Sequence, residues 1–121
     1  MSGLAGRAAI AGIGQTEFSK ESGRTELQLA CEAVRAALDD AGLRPSDVDG
    51  LVTFSQDTTE ELELGRNLGF EDITMFSRIT YGGGAAAATV QHAAMAVASG
   101  VADVVVVYRA FNERSGLRFG N

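Results

Sequence analysis

The chain has little from which to build a metal centre or a covalent cross-link. It holds one cysteine, Cys31, and one histidine, His92. That excludes an internal disulfide and any multi-cysteine zinc site, so no metal site is expected. A lone cysteine suits a reducing compartment. Positive charge is also scarce: ten Lys and Arg face sixteen Asp and Glu, for a formal charge of −6. With no basic stripe interleaved with aromatics, nucleic acid is not an expected partner. The N-terminus lacks a basic segment leading into a sustained apolar core, and no apolar run is long enough to span a bilayer. The expectation is a cytoplasmic protein with no membrane span. At 121 residues the chain is one domain or part of one, long enough to bury a core.

Glycine and alanine, by contrast, are concentrated in one stretch. Tyr81-Gly-Gly-Gly84 leads straight into an alanine-rich run that reaches Gly100 without a charged residue. Such a run is a strong helix former and is apolar on nearly every face, which predicts a buried helix. The glycines mark its entrance. The first N–H groups of a helix need partners from outside it, and glycine lets a ligand or another backbone come close. His92, midway along the run, reads as a hydrogen-bonded core residue.

The rest of the chain alternates strand and helix patterns. Residues 7–14 form a short apolar run closed by glycine, which predicts a first strand buried on both faces. Gly12-Ile-Gly14 invites a dinucleotide-binding reading, but the third glycine is missing and the polar stretch 15–24 intervenes before any helix. Thr25-Glu-Leu-Gln28 is a capping box, and apolar residues follow it at helical spacing until Gly42 and Pro45 end the helix. Cys31 lies within that apolar stripe and reads as a small buried hydrophobe. Residues 51–54 form a second strand, 59–69 a helix with Leu62, Leu64 and Leu68 as its apolar side, and 73–79 a partly exposed strand. The β-branched run 101–108 is the last strand.

The expected order is β-α-β-α-β-α-β, an α/β fold with a mostly parallel sheet. Ligands in such sheets gather at the carboxyl ends of the strands, which puts residues 15–18, 55–58, 80–84 and 108–115 on one rim.

The passage 73–99 resembles the thiolase superfamily, in which a nucleophilic cysteine within a Cys-x-Ser/Thr-Gly type pattern opens a central helix. Tyr81 occupies the position of that cysteine. Residues 9–18, 43–52 and 93–107 are similar to the family's opening strand, its approach to the second strand and its helix-Gly-x-Ala-Asp-strand passage. Tyr81-Gly-Gly-Gly84 and residues 108–116 look most like the lipid-transfer-protein, sterol-carrier-thiolase-like branch, and within it the bacterial thiolase-like aldolases of steroid side-chain degradation. The resemblance spans almost the whole chain.

What it implies is a retro-aldol lyase acting on a steroid acyl-CoA thioester, with no bound cofactor and with a partner protein carrying an OB-fold domain. A tyrosine in the cysteine's place forms no acyl-enzyme thioester, so Claisen-type thiolysis is not expected. A retro-aldol step needs instead a base for the β-hydroxyl proton and donors for the enolate oxygen. Tyr81 is the candidate for donating to the thioester oxygen or relaying the proton. The N–H groups of Gly82, Gly83 and Gly84 are candidates for an oxyanion pocket, and Asn112, with Arg109, for orienting substrate.

The resemblance also implies an N-terminal half domain over residues 1–121, whose second half is absent. A half domain exposes the apolar face that its twin covers. Family members dimerise through the strand before the nucleophile position, which assigns Ile73, Met75, Ser77 and Ile79 to a homodimer interface. Two other readings remain open at this point. One is a non-catalytic thiolase-like subunit that binds acyl-CoA or scaffolds an assembly, and the weaker one is the dinucleotide-binding domain.

Overall fold

The computed structural model describes residues 5–54, 61–79 and 86–112. Its first helix, α1 (Glu26–Ala41), begins as the sequence predicts. Thr25 Oγ1 accepts the N–H of Gln28 at 3.1 Å, and Gln28 Oε1 accepts the N–H of Thr25 at 2.8 Å. A cap of this kind is worth about 1 kcal/mol. Gly42 closes the helix in the left-handed region, at φ 71°, and its N–H reaches the carbonyls of Leu38 and Asp39. Leu29, Ala30, Cys31, Val34 and Leu38 form the buried stripe.

Strand β1 (Gly50–Phe54) is buried along its whole length and forms the centre of the sheet. Strands β2 (Met75–Ile79) and β3 (Val105–Tyr108) flank it, both parallel to it. Leu51 pairs with Phe76 on one side and Val106 on the other, and Val52 pairs with Ser77 and Val107. Because side chains alternate, Leu51, Val106 and Tyr108 share the face that packs into one core with α1 and with Leu64 and Leu68 of α2 (Glu61–Leu68). Ser77 lies on the opposite face and contacts α3 (Ala88–Ser99). The sheet is thus sandwiched between α1 with α2 and α3, an α/β arrangement as expected.

Asp49 ties the amino ends of the strands together. Its carboxylate accepts the N–H groups of Asp103 and Val104, its own N–H donates to the Val104 carbonyl, and its carbonyl accepts the N–H of Thr74. This claims the N–H groups just ahead of β3. The strand therefore starts at Val105, and residues 101–104, expected as its first half, instead close the end of α3 by donating to Ala96 and bend toward Asp49.

Further expectations need correction. Residues 7–14 are not a strand. The N–H of Ile13 donates to Asp40 of α1 at 2.9 Å rather than to a sheet carbonyl. Gly12 and Gly14 also lie so close to α1 that an added Cβ would meet the Ala37 and Ala33 carbonyls at 2.4 and 2.3 Å. The glycines that suggested a strand end draw the backbone onto the helix. On α2, Leu64 and Leu68 are buried, but Leu62 is 65% exposed, because two residues along a helix turn a side chain to the other face.

The alanine-rich helix is buried on one face only. Thr89, Ala93 and Ala96 meet the sheet, while Val90 and Met95 are about half exposed, and so is Val101 just past its end. His92 is hydrogen-bonded as expected but exposed rather than in the core. The helix opens at Ala88, and the glycine triplet expected at its entrance lies outside the described residues. Among the described residues, no helix is long and apolar enough to cross a membrane.

Candidate functional site

The carboxyl ends of the three strands fall at Phe54, Ile79 and Tyr108 and define one rim. Tyr81, Gly82, Gly83 and Gly84 lie outside the described residues, as do 55–60 and 113–121. What the structure shows of the rim comes from the polar stretch after residue 14 and from the segment following β3.

These two pieces are joined by a compact set of hydrogen bonds. Ser22 Oγ donates to Asn112 Oδ1 at 2.8 Å, and Asn112 Nδ2 donates to the Arg24 carbonyl at 2.5 Å. Asn112 is therefore held through both ends of its amide, leaving one N–H and one lone pair on Oδ1 for anything else. The Arg24 guanidinium bridges Glu17 on the loop and Glu32 on α1, the latter at 3.0 Å. A hydrogen bond from its own backbone N–H, reinforced by Arg24, holds the Glu17 carboxyl below the usual range.

Arg109 follows β3 directly, and its guanidinium carbon stands 5.5 Å from the centre of the Phe54 ring at the end of β1. A cation over an aromatic face is worth about 0.5–1 kcal/mol at an exposed site, and it fixes where the charge sits. Arg109, Phe18, Ser22 and Asn112 help to line a cavity of about 290 Å³ at this end of β3. A larger cavity of about 630 Å³ runs along β3 between residues 7–14, α1 and α3.

Strand β2 forms the sheet's edge. Ile73, Met75, Ser77 and Ile79 are half-buried, while Phe76 and Arg78 between them are exposed. Ile73 packs against the core, and Ser77 Oγ lies 3.0 Å from His92 Nδ1. Cys31 is buried, and that burial pushes its thiol pKa up.

Of the predicted site residues, the structure places Asn112 on the rim, Met75, Ser77 and Ile79 on β2 at one edge of the described sheet, and Ile73 just ahead of that strand. Sequence reasoning placed Glu17 on the rim within 15–18 and missed Ser22 and Arg24. The signal for them was the polar stretch 15–24 itself, whose length of serines and charges before a helix had no other use.

No protein-family model matches the chain. It is 70% identical over 120 residues to the steroid side-chain-cleaving aldolase of Thermomonospora curvata, covering 99% of this chain and 31% of that protein. It is 69% identical over 117 residues to the 17-hydroxy-3-oxo-4-pregnene-20-carboxyl-CoA lyase of Mycobacterium tuberculosis, covering 97% and 30%. Among solved structures, an Ltp2-ChsH2(DUF35) aldolase superposes over 99% of this chain and 31% of its own, with 68% identity and a TM-score of 0.92. An SCP2-thiolase-like protein type 1 from Mycobacterium smegmatis shares the fold over 81% of this chain and 22% of its own, at 24% identity and a TM-score of 0.68. The chain thus shares the fold of a thiolase-like protein, and in sequence it is similar to the steroid aldolases.

That similarity spans about a third of the length of these curated relatives. As a thiolase-like chain it keeps the sheet and the alanine helix, and it carries tyrosine at position 81. The described rim contributes hydrogen-bonding groups and two arginines, Arg24 and Arg109.

Proposed function

We propose that this chain forms one wall of the active site of a thiolase-like lyase, which cleaves a carbon–carbon bond in a steroid-type acyl-CoA thioester by retro-aldol chemistry without a cysteine nucleophile. The observation that carries the reading is 70% identity to a steroid side-chain-cleaving aldolase over 99% of the chain. Tyrosine at position 81 agrees with it, since a retro-aldol step needs no covalent intermediate.

In the proposed step a base removes the proton of the β-hydroxyl. The oxygen's electron pair forms the ketone, and the bond between the α and β carbons breaks. Its electrons pass to the α carbon as the thioester enolate, which is then protonated there. The products are a ketosteroid and propionyl-CoA. Tyr81 donates to the thioester oxygen or relays a proton, the N–H groups of Gly82, Gly83 and Gly84 stabilise the enolate oxygen, and Asn112 orients the substrate with its remaining N–H. A half domain completed by a second half would cover the exposed side of α3. A homodimer formed through Ile73, Met75, Ser77 and Ile79 would occupy the free edge of β2, as edge strands commonly do. A partner with an OB-fold domain is part of the same proposal, supported by the two-component name of the solved aldolase relative. The proposed location is the cytoplasm.

The test is release of propionyl-CoA from a steroid acyl-CoA by the full-length protein with its partner. Tyr81→Phe should lower kcat by about tenfold or more, the effect of losing one donor to a developing oxyanion. Unchanged turnover would return Tyr81 to a packing role. The missing cysteine also favours a second reading, a non-catalytic subunit that binds acyl-CoA. Saturable acyl-CoA binding with no cleavage by the complete assembly would select it.

A further inference from the structure

Arg24 takes no part in the chemistry proposed above, yet three pieces of the chain meet at it, the polar stretch 15–24, α1 and the segment after β3. Its guanidinium holds Glu17 from the polar loop and Glu32 from α1. Its backbone N–H donates to Ser22 Oγ at 3.1 Å. Its carbonyl accepts from Asn112, 88 residues further along the chain. The side chain is only 25% exposed, and its Nε is buried with no hydrogen-bond partner among the described residues.

Stability alone does not account for this arrangement. Surface ion pairs contribute little, and a buried donor without an acceptor is unfavourable. What the arrangement does fix is geometry. A planar guanidinium that reaches two carboxylates on different elements sets the distance between them, which a lysine ammonium on a flexible stem does not. The loop that Arg24 anchors forms one side of the cavity of about 290 Å³, and Phe18 and Asn112 line it with Arg109 at the end of β3. Phe18 itself is 91% exposed, an aromatic ring held out at the cavity's margin by a loop that carries no regular structure of its own.

We infer that Arg24 is a positioning residue that acts through Glu17 and Asn112, holding the 15–19 loop as the wall of a substrate-binding cavity at the carboxyl rim. This deepens the lyase reading and rests on it for the identity of the ligand, an acyl-CoA thioester. Arg24 itself touches no reacting atom in the proposal. Its effect falls on binding, not on the chemical step.

The experiment compares Arg24→Met, Arg24→Lys and Glu17→Gln in the full-length protein with its partner, using a steroid acyl-CoA as substrate and following amide hydrogen exchange in parallel. Arg24→Met should raise KM about tenfold while kcat stays within about twofold. Lysine should recover part of the loss, and Glu17→Gln should move KM in the same direction by less. Exchange of the amides of residues 15–23 should quicken in Arg24→Met while α1 and β1 keep their protection. An unchanged KM, a kcat that falls in proportion, or faster exchange spread evenly over α1 and β1 would overturn the inference. If the wild-type assembly cleaves nothing, the lyase reading fails by itself. The exchange arm still decides about Arg24: localised quickening supports the loop-holding role, and unchanged exchange at residues 15–23 removes it.

Discussion

The carboxylate of Asp49 accepts the backbone N–H of Val104 at 2.8 Å and, through both oxygens, that of Asp103 at 3.0 Å. With its own backbone bonded to Val104 and Thr74, this residue joins all three strands at their amino ends. Asp49→Ala leaves those N–H groups without their acceptor and should lower the unfolding free energy by about 2–3 kcal/mol. Asp49→Asn, which keeps one acceptor oxygen, should lose about half as much by the same reasoning. Urea titration followed by circular dichroism measures both, and a loss equal to that of an ordinary surface substitution would remove Asp49 from this role.

Gly14 sits against α1 with no room for a side chain. An added Cβ would meet the Ala33 carbonyl at 2.3 Å and the Ala37 N–H nitrogen at 2.5 Å, both backbone atoms that do not swing aside. Gly14→Ala should therefore cost about 1–3 kcal/mol and detach residues 7–14 from the helix. Thermal melting gives the first quantity and hydrogen exchange the second. An unchanged melting temperature would mean that the segment does not rest on α1 in solution.

Cys31 offers a chemical check on the core. Burial raises its thiol pKa, so the reactive thiolate forms only at higher pH than in an exposed cysteine. At pH 8 the folded protein should take up iodoacetamide far more slowly than the urea-unfolded chain, as read by mass spectrometry. Equal rates would place the thiol in water.

Glu17 predicts the sign of one part of the acid limb. Its pKa is lowered from the ordinary 4.5 in the folded chain, first by its backbone hydrogen bond and then by Arg24. The unfolded chain takes up the proton first as pH falls. The stabilisation from Glu17 is thus fully present above the unfolded value and disappears as pH drops through the folded one. The difference in melting temperature between wild type and Glu17→Gln should close as pH falls below the ordinary 4.5. A difference that persists at the acid end would assign it to packing.

The proposed homodimer edge is tested by Ile79→Lys in the full-length protein, since a charge on an edge strand opposes pairing with another edge. Sedimentation velocity should report a monomer for the variant and a dimer for the wild type. A variant that remains dimeric would move the interface away from β2.

How much of this was legible in the sequence follows from how local each determinant is. The start of α1 was readable because Thr25 and Gln28 satisfy each other within one turn, and its end because Gly42 takes a left-handed conformation that other residues resist. The edge character of 73–79 was readable from its mixed pattern. Residues 7–14 carry the composition of a strand, but their fate rests on Asp40, 27 residues away, which takes the N–H of Ile13. The Ser22, Arg24 and Asn112 cluster closes across 88 to 90 residues and leaves no periodic trace. One-sided burial of α3 was also hidden, because a run of alanines looks the same whether one face is covered or both. The glycine triplet and Tyr81, the part of the site read most fully from sequence, lies outside the described residues.

Along one stripe helix α3 exposes small side chains, Ala94 and Ala98 with Ala87 just ahead of the helix, and Val90, Gln91 and Met95 stand beside them. Such a surface offers few hydrogen bonds and little charge by which to select a neighbour. It selects by clearance, because a helix with short side chains admits another backbone to about 8 Å between axes, the near limit of helix packing. Whatever settles there must be equally slender along its length. A single bulky residue on either side would hold the two apart, so this face tolerates enlargement poorly even though it lies at the surface of the chain.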